Sequence, residues 1–187
     1  MTNAQWKQRL ANQFWAMCAF RTNDLFSWAI APGQKAPYVT SYIVTYNVKT
    51  MVMVNGNLVP QMRTVVQIDM PASERDRPTA RVIEGLVPYS PNIYVNGKVC
   101  VGNLEEKNFI LWKFVVKLGK LIAFDPGVTN PDSPANGAAA ADWKKSRANF
   151  ASRIPVAEPT SRTRSGTDRF MCDIAVFLSL KPRCTNN

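Results

Sequence analysis

The chain has 187 residues, 46% hydrophobic and 19% charged. That is the make-up of a globular chain long enough to bury a core, with one catalytic or binding domain as the default at this length. No apolar run approaches the roughly 18–20 residues of a membrane span, and the charges in the first helix-like segment speak against a signal peptide. The formal net charge is +10, from 23 Lys+Arg against 13 Asp+Glu. Such a surface suits an acidic protein partner or nucleic acid, but the basic residues are scattered and no nucleic-acid motif is present. The chain contains no histidine. This removes Cys-His proteases and acyltransferases, which need imidazole as base, and most catalytic zinc and non-haem iron sites, which need it as ligand. The cysteines are Cys18, Cys100, Cys172 and Cys184, with no Cys-x-x-Cys pair. A zinc ribbon, a thioredoxin-type site and a disulfide scaffold are therefore not expected, and a reducing cytoplasm is the expected compartment.

In chain order, Trp6, Leu10, Phe14 and Met17 recur at helical spacing and predict an amphipathic helix over 3–21, with Lys7 and Arg9 off its apolar stripe. Two β-rich runs follow, Tyr38 to Tyr46 and Thr50 to Val54. Asn55-Gly56 then reads as a hairpin turn leading into Met62 to Met70. A polar loop at 72–78 precedes a short strand near Thr79–Glu84. Phe109 to Phe124 is apolar and predicts a buried helix, ended by Pro126, Gly127 and Pro131. Ser133 and Pro134 have the character of an N-cap and first helical residue for a helix through the Ala-rich stretch from Ala135 to Arg153. Residues 155–168, rich in Pro, Ser, Thr and Arg, read as a linker. Residues 169–181 are apolar again and are expected to dock back. The order is helix, four-stranded antiparallel meander, irregular segment, then helices: an α+β layout.

The irregular segment carries the chemistry. Residues 90–100 read Ser-Pro-Asn-Ile-Tyr-Val-Asn-Gly-Lys-Val-Cys. Cys100 lies eight residues after Asn92, behind a Pro-Asn turn and an Asn-Gly turn, with Lys98 two positions away. A lone thiol is more often a small core residue, but so turn-rich a setting predicts exposure. A cysteine enzyme without histidine needs a reaction that tolerates a weak base. Attack of a thiolate on an already activated thioester is such a reaction.

This segment resembles the active-site sequence of the ubiquitin-conjugating enzymes: His-Pro-Asn-Ile, a short spacer, Gly, any residue, Ile or Val, then the catalytic Cys. Pro91, Asn92, Ile93, Gly97, Val99 and Cys100 fall in register, and Ser90 stands where the family has His. Asn130, Pro131, Ser133, Pro134, Ala135 and Asn136 look like the family's Asn-Pro-x-Asp/Ser-Pro-x-Asn turn. The resemblance covers roughly 3–153, implying a catalytic domain at 1–153 and an unmatched extension at 154–187. Two residues after the cysteine the common Asp is Gly102, and the usual Trp is displaced to Trp112. A divergent member is implied, of the kind found in bacteria and sometimes in antiphage operons.

The resemblance implies that Cys100 accepts a ubiquitin-like modifier as a thioester from a ThiF-like activating enzyme and yields it to the lysine of a target protein. It implies that Asn92 supports the oxyanion of the second step or orders a nearby loop. A plain cap of the Pro-Asn turn is the alternative. Many members carry Asp where this chain, like some members, has Ser133; there it helps orient or deprotonate the incoming lysine. Asp132 sits beside it, and the N-cap remains the other reading of Ser133. Lys7 and Arg9 would face the activating enzyme. No metal or organic cofactor is called for. Two rivals stand beside this reading: a non-catalytic binding or scaffold module on the same fold, and a basic nucleic-acid-binding protein.

Overall fold

The computed structural model describes residues 2–20, 24–72, 76–102, 104 and 109–146. The expected linker at 155–168, the apolar segment at 169–181, Cys172, Cys184 and the stretch from 147 to Arg153 lie outside the described residues.

Helix α1 spans Asn3–Ala19. Thr2 caps it: its hydroxyl accepts from the Gln5 amide while the Gln5 side chain takes the Thr2 amide, which satisfies two end donors reciprocally. Leu10, Ala11, Phe14 and Met17 form its buried stripe. Six strands follow: β1 (Phe26–Ile30), β2 (Ser41–Tyr46), β3 (Thr50–Val54), β4 (Asn57–Gln61), β5 (Thr64–Asp69) and β6 (Thr79–Glu84). A four-stranded antiparallel sheet has the order β1-β2-β5-β6, and β3 with β4 forms a separate two-stranded sheet.

The expected four-stranded sheet is present with different members. Its first strand is β1, which the sequence reading did not single out, and the run 50–54 lies outside it. The Asn55-Gly56 turn does close a hairpin, with both residues at positive φ (49° and 79°). Its partner strand is 57–61, however, directly across the turn with Val54 opposite Asn57, not the run from Met62. A two-residue turn with both positions left-handed sets the register at its own flanks. That leaves β5 to pair with β2 at Ser41–Asp69 through Tyr46–Thr64.

Helices α2 (Leu111–Ile122) and α3 (Gly137–Lys145) complete the described fold. Leu111, Phe114, Val115, Leu118, Leu121 and Ile122 of α2 are buried against the sheet and α1. Ile110 at its N-cap has no capping side chain, so α1 supplies one. The Gln13 amide oxygen accepts the Leu111 N–H at 2.7 Å, and its nitrogen donates to the Phe109 carbonyl at 3.3 Å. Two buried hydroxyls donate to carbonyls of α2: Tyr46 to Val115 at 2.8 Å and Thr50 to Ile122 at 2.7 Å. The second bond anchors the hairpin. A satellite core then forms where Phe124 stacks on Trp143 of α3, flanked by Met51, Leu58 and Tyr89.

Helix α3 starts later than its sequence predicts. Asn136, not Ser133, is the N-cap, accepting from the Ala139 amide at 3.1 Å, and Pro134 lies outside the helix. The reason is tertiary: the Ala135 and Asn136 amides, which the earlier start would place in the first turn, donate to the Pro91 carbonyl instead. Trp143 is the one large apolar side chain α3 buries, beside the small Ala139 and Ala140, so it carries most of the apolar docking. Replacing Trp143 by Ala is expected to cost about 3–5 kcal/mol, the usual result of truncating a buried Trp. Urea denaturation measures it.

Candidate active site

Cys100 ends a short segment hung on the edge of the main sheet. Val82 donates to the Gly97 carbonyl at 2.9 Å and Val99 to the Ala80 carbonyl at 2.9 Å, so β6 carries the segment along its free edge. Within it, Tyr94 donates to Lys98 and Gly97 to Tyr94, closing a tight turn, and Ile93 bridges Val99. The turn requires glycine at 97. Its φ is +83°, and a Cβ there would stand 3.1 Å from the Val82 carbonyl oxygen. Ile93 and Val99 are buried beneath the turn, and Cys100, the next residue, is half-buried. Its amide donates to the Asn92 carbonyl at 2.8 Å. Cys100 thus ends a segment anchored on both sides, and it is half-buried where the turns predicted exposure.

Asn92 is the hub of the second anchor. It is 0% exposed. Its side-chain oxygen accepts the Asn130 amide at 2.7 Å, and its nitrogen donates to the Asn130 carbonyl at 3.1 Å. The two bonds latch the cysteine segment to the loop that precedes α3, and the Pro91 carbonyl adds the bonds from Ala135 and Asn136 at 2.7 and 3.0 Å. Ser90 is fully buried and accepts the Asn92 amide at 3.3 Å, holding the Pro-Asn turn with a hydroxyl. The latched loop carries Asp132 and Ser133, both exposed. The Asp132 amide donates to the Asn130 side chain at 2.9 Å, and its carboxylate pairs with Lys144 of α3 at 2.9 Å. With Asn136 capping the helix, the Ser133 hydroxyl is not used as its N-cap.

Three participants escaped the sequence reading. Phe124 holds a positive φ of 60° while fully buried, turning the chain out of α2 toward the loop before α3 that carries Asp132 and Ser133 (the gate loop). Tyr89, adjacent to Ser90, donates its hydroxyl to Asp142 of α3 at 3.1 Å. Burial, then the Asp142 carboxylate, hold that hydroxyl above its ordinary pKa. Lys144 pairs with Asp132 as described. No local pattern marks any of the three; each acts across a packing contact.

The remaining expected residues are spread over the surface. Lys7 is exposed, its ammonium 5.9 Å from the centre of the Tyr38 ring, and Arg9 is half-buried on α1. Trp112, partly buried, stacks on Phe20 with ring centres 5.4 Å apart and packs against the core. Among the described residues no group of three His, Cys, Asp or Glu could hold a metal ion. No described helix is long and apolar enough to cross a membrane.

Cys18, the other described cysteine, lies half-buried on α1, and burial pushes its thiol up to about 11 from 9.0. Two units leave about 100-fold less thiolate at neutral pH. Iodoacetamide at pH 7.5 is therefore expected to modify Cys18 slowly, with the rate rising toward pH 11. Mass spectrometry of the α1 peptide measures this, and fast labelling at neutral pH contradicts it.

No protein-family model matches the chain, and no curated protein does. Solved structures do. A ubiquitin-conjugating-enzyme candidate from Plasmodium yoelii aligns with a TM-score of 0.52 at 14% identity, over 80% of this chain and 90% of its own. Ubc12 of S. cerevisiae aligns with a TM-score of 0.53 at 15% identity, over 77% and 74%. The E2 domain of a Toxoplasma gondii ubiquitin conjugating enzyme aligns with a TM-score of 0.50 at 14% identity, over 76% and 89%. At such identities the likeness concerns the backbone arrangement, and on that evidence the chain has the ubiquitin-conjugating fold.

Proposed function

We propose that the chain is a conjugating enzyme for a ubiquitin-like modifier, with residues 1–153 as its catalytic unit and Cys100 as its acceptor. The observation that carries the reading is the double anchoring of the Cys100 segment: β6 holds one side, and the Asn92 latch ties the other to the loop bearing Asp132 and Ser133. A buried structural cysteine needs no such frame. An acyl carrier does, because the thioester carbonyl must be held against an incoming amine.

In the first step the Cys100 sulfur attacks the thioester carbonyl carbon of the modifier on a ThiF-like activating enzyme. A new C–S bond forms, and the activating enzyme's thiolate leaves. In the second, a lysine Nζ of the target attacks the same carbon, an amide forms, and Cys100 leaves as thiolate. The lysine proton passes to solvent or to a carboxylate at the gate, where Asp132 is the acidic residue and the exposed Ser133 hydroxyl can orient the amine. Asn92 has both ends of its amide turned on Asn130, so its first task is to fix the gate. Stabilising the oxyanion would fall to its second N–H. The chemistry calls for no metal or organic cofactor in this chain, and the cytoplasm is the compartment it suits. The test is formation of a reductant-sensitive modifier adduct on Cys100 with activating enzyme and ATP.

The basic edge of α1, with Lys7 exposed and Arg9 half-buried, is the proposed contact for the activating enzyme. Reversing Lys7 and Arg9 to Glu should slow charging, more at 20 mM than at 300 mM salt, because long-range steering is screened. Stopped-flow charging rates check this. Equal rates for the double variant move the contact elsewhere.

A further inference from the structure

We infer that α3 is a two-point clamp, with Tyr89–Asp142 and Asp132–Lys144 as its jaws, and that these residues position the gate loop over the Cys100 segment. The inference deepens the conjugation reading and rests on it for its catalytic consequence. Its structural part stands on geometry alone.

Successive helix residues point about 100° apart, so Asp142 and Lys144 flank Trp143 on its two sides. Trp143 is 1% exposed and provides the docking stripe with Ala139 and Ala140. A stripe of alanines and one ring resists separation but resists rotation about the helix axis poorly. The two flanking bonds supply that resistance. Asp142 reaches the Tyr89 hydroxyl at 3.1 Å, next to the Ser90-Pro91-Asn92 turn. Lys144 reaches the Asp132 carboxylate at 2.9 Å, on the gate loop itself. One jaw therefore grips the cysteine side and the other the gate side, and the amides of Asn130, Ala135 and Asn136 bridge between them. Both bonds are formed near the surface and each is individually weak. Together they fix the helix that follows the gate loop. Lys144 also sets how much of the Asp132 charge an incoming ammonium meets.

The test compares the full chain with Tyr89→Phe, Lys144→Gln, the double variant and Lys144→Arg. Amide hydrogen exchange by NMR comes first. In the double variant Asn130, Ala135 and Asn136 should exchange about tenfold faster, the scale of losing two such bonds. Val66 and Ile68 in the main sheet should not change, and Lys144→Arg should match the wild type. Unchanged exchange at the three gate amides overturns the clamp, as does a uniform rise that includes the sheet. Cys100 is then loaded with a Gly-Gly peptide thioester of mercaptoethanesulfonate, which needs no activating enzyme. Aminolysis by free lysine should fall about five- to tenfold in the double variant while hydrolysis of the thioester holds, and Lys144→Arg should recover it. Equal losses in aminolysis and hydrolysis overturn the positioning role. Faster gate exchange with no thioester on Cys100 in any variant supports the clamp and removes the conjugation reading instead.

Discussion

Replacing Cys100 by Ala should abolish the modifier adduct completely, while Cys18→Ala retains it. The two described thiols differ in setting. Cys18 faces the core from α1, and burial holds its proton on to about 11. Cys100 closes a surface segment fastened to β6 and to the gate loop. Added thiol cleaves a thioester by acyl exchange, taking the modifier and freeing the Cys100 thiol, so the wild-type adduct should disappear with thiol, which a gel with and without it reads directly. Cys100→Lys places an amine at the same position and should give an amide adduct that resists thiol. An adduct that persists in Cys100→Ala would overturn the acceptor assignment. A folded protein that never charges, with activating enzyme and modifier shown to be competent, would favour the scaffold reading on the same fold.

The second large effect concerns Asn92. Its side chain meets the backbone amide and carbonyl of Asn130 inside the protein, so Asn92→Ala strands both groups. Two buried hydrogen bonds lost together predict a destabilisation of about 2–3 kcal/mol. Calorimetry should show the lower Tm. The gate loosens and the donor proposed for the oxyanion goes with it, so discharge of charged enzyme to free lysine should fall by a factor on the order of 100 or more, most of it the scale of losing such a donor. Charging should be much less affected, since transthiolation between similar thiols builds no comparable need for the gate. Asn92→Asp separates the roles. It keeps an acceptor for the Asn130 amide but removes the donor to the Asn130 carbonyl and buries a carboxylate, so its stability should recover as pH falls and the acid is protonated. If the aminolysis rate of Asn92→Asp follows that recovery, the latch is the function of Asn92. If it stays low at a pH where the fold is restored, the amide acts on the reaction itself.

Local chemistry made much of the site legible. Asn-Gly at 55–56 and at 96–97 demands left-handed backbone, and both turns formed. Apolar spacing marked α1 and α2 to within two residues of their ends: 3–21 against Asn3–Ala19, and 109–124 against Leu111–Ile122. Cys100 emerged at the surface edge because a tight glycine turn precedes it. These features depend on dihedral preference and on neighbours within one or two turns, which a sequence displays. Pairing across distance was not displayed. Val-rich runs at 50–54 and 64–69 are equally good strands; the Asn55-Gly56 turn paired the first with 57–61, and the Thr50–Ile122 bond and the packing of Met51 and Leu58 on the Phe124–Trp143 pair hold that hairpin apart from the main sheet. Ser133 has the chemistry of an N-cap, yet the Pro91 carbonyl drew the Ala135 and Asn136 amides away, and Asn136 capped the helix. The capping of α2 by Gln13 across 98 residues, the Asn92–Asn130 latch across 38 and the Tyr89–Asp142 bond across 53 follow the same rule. Each joins groups far apart in the sequence, and which groups meet depends on how the helices pack on the sheet.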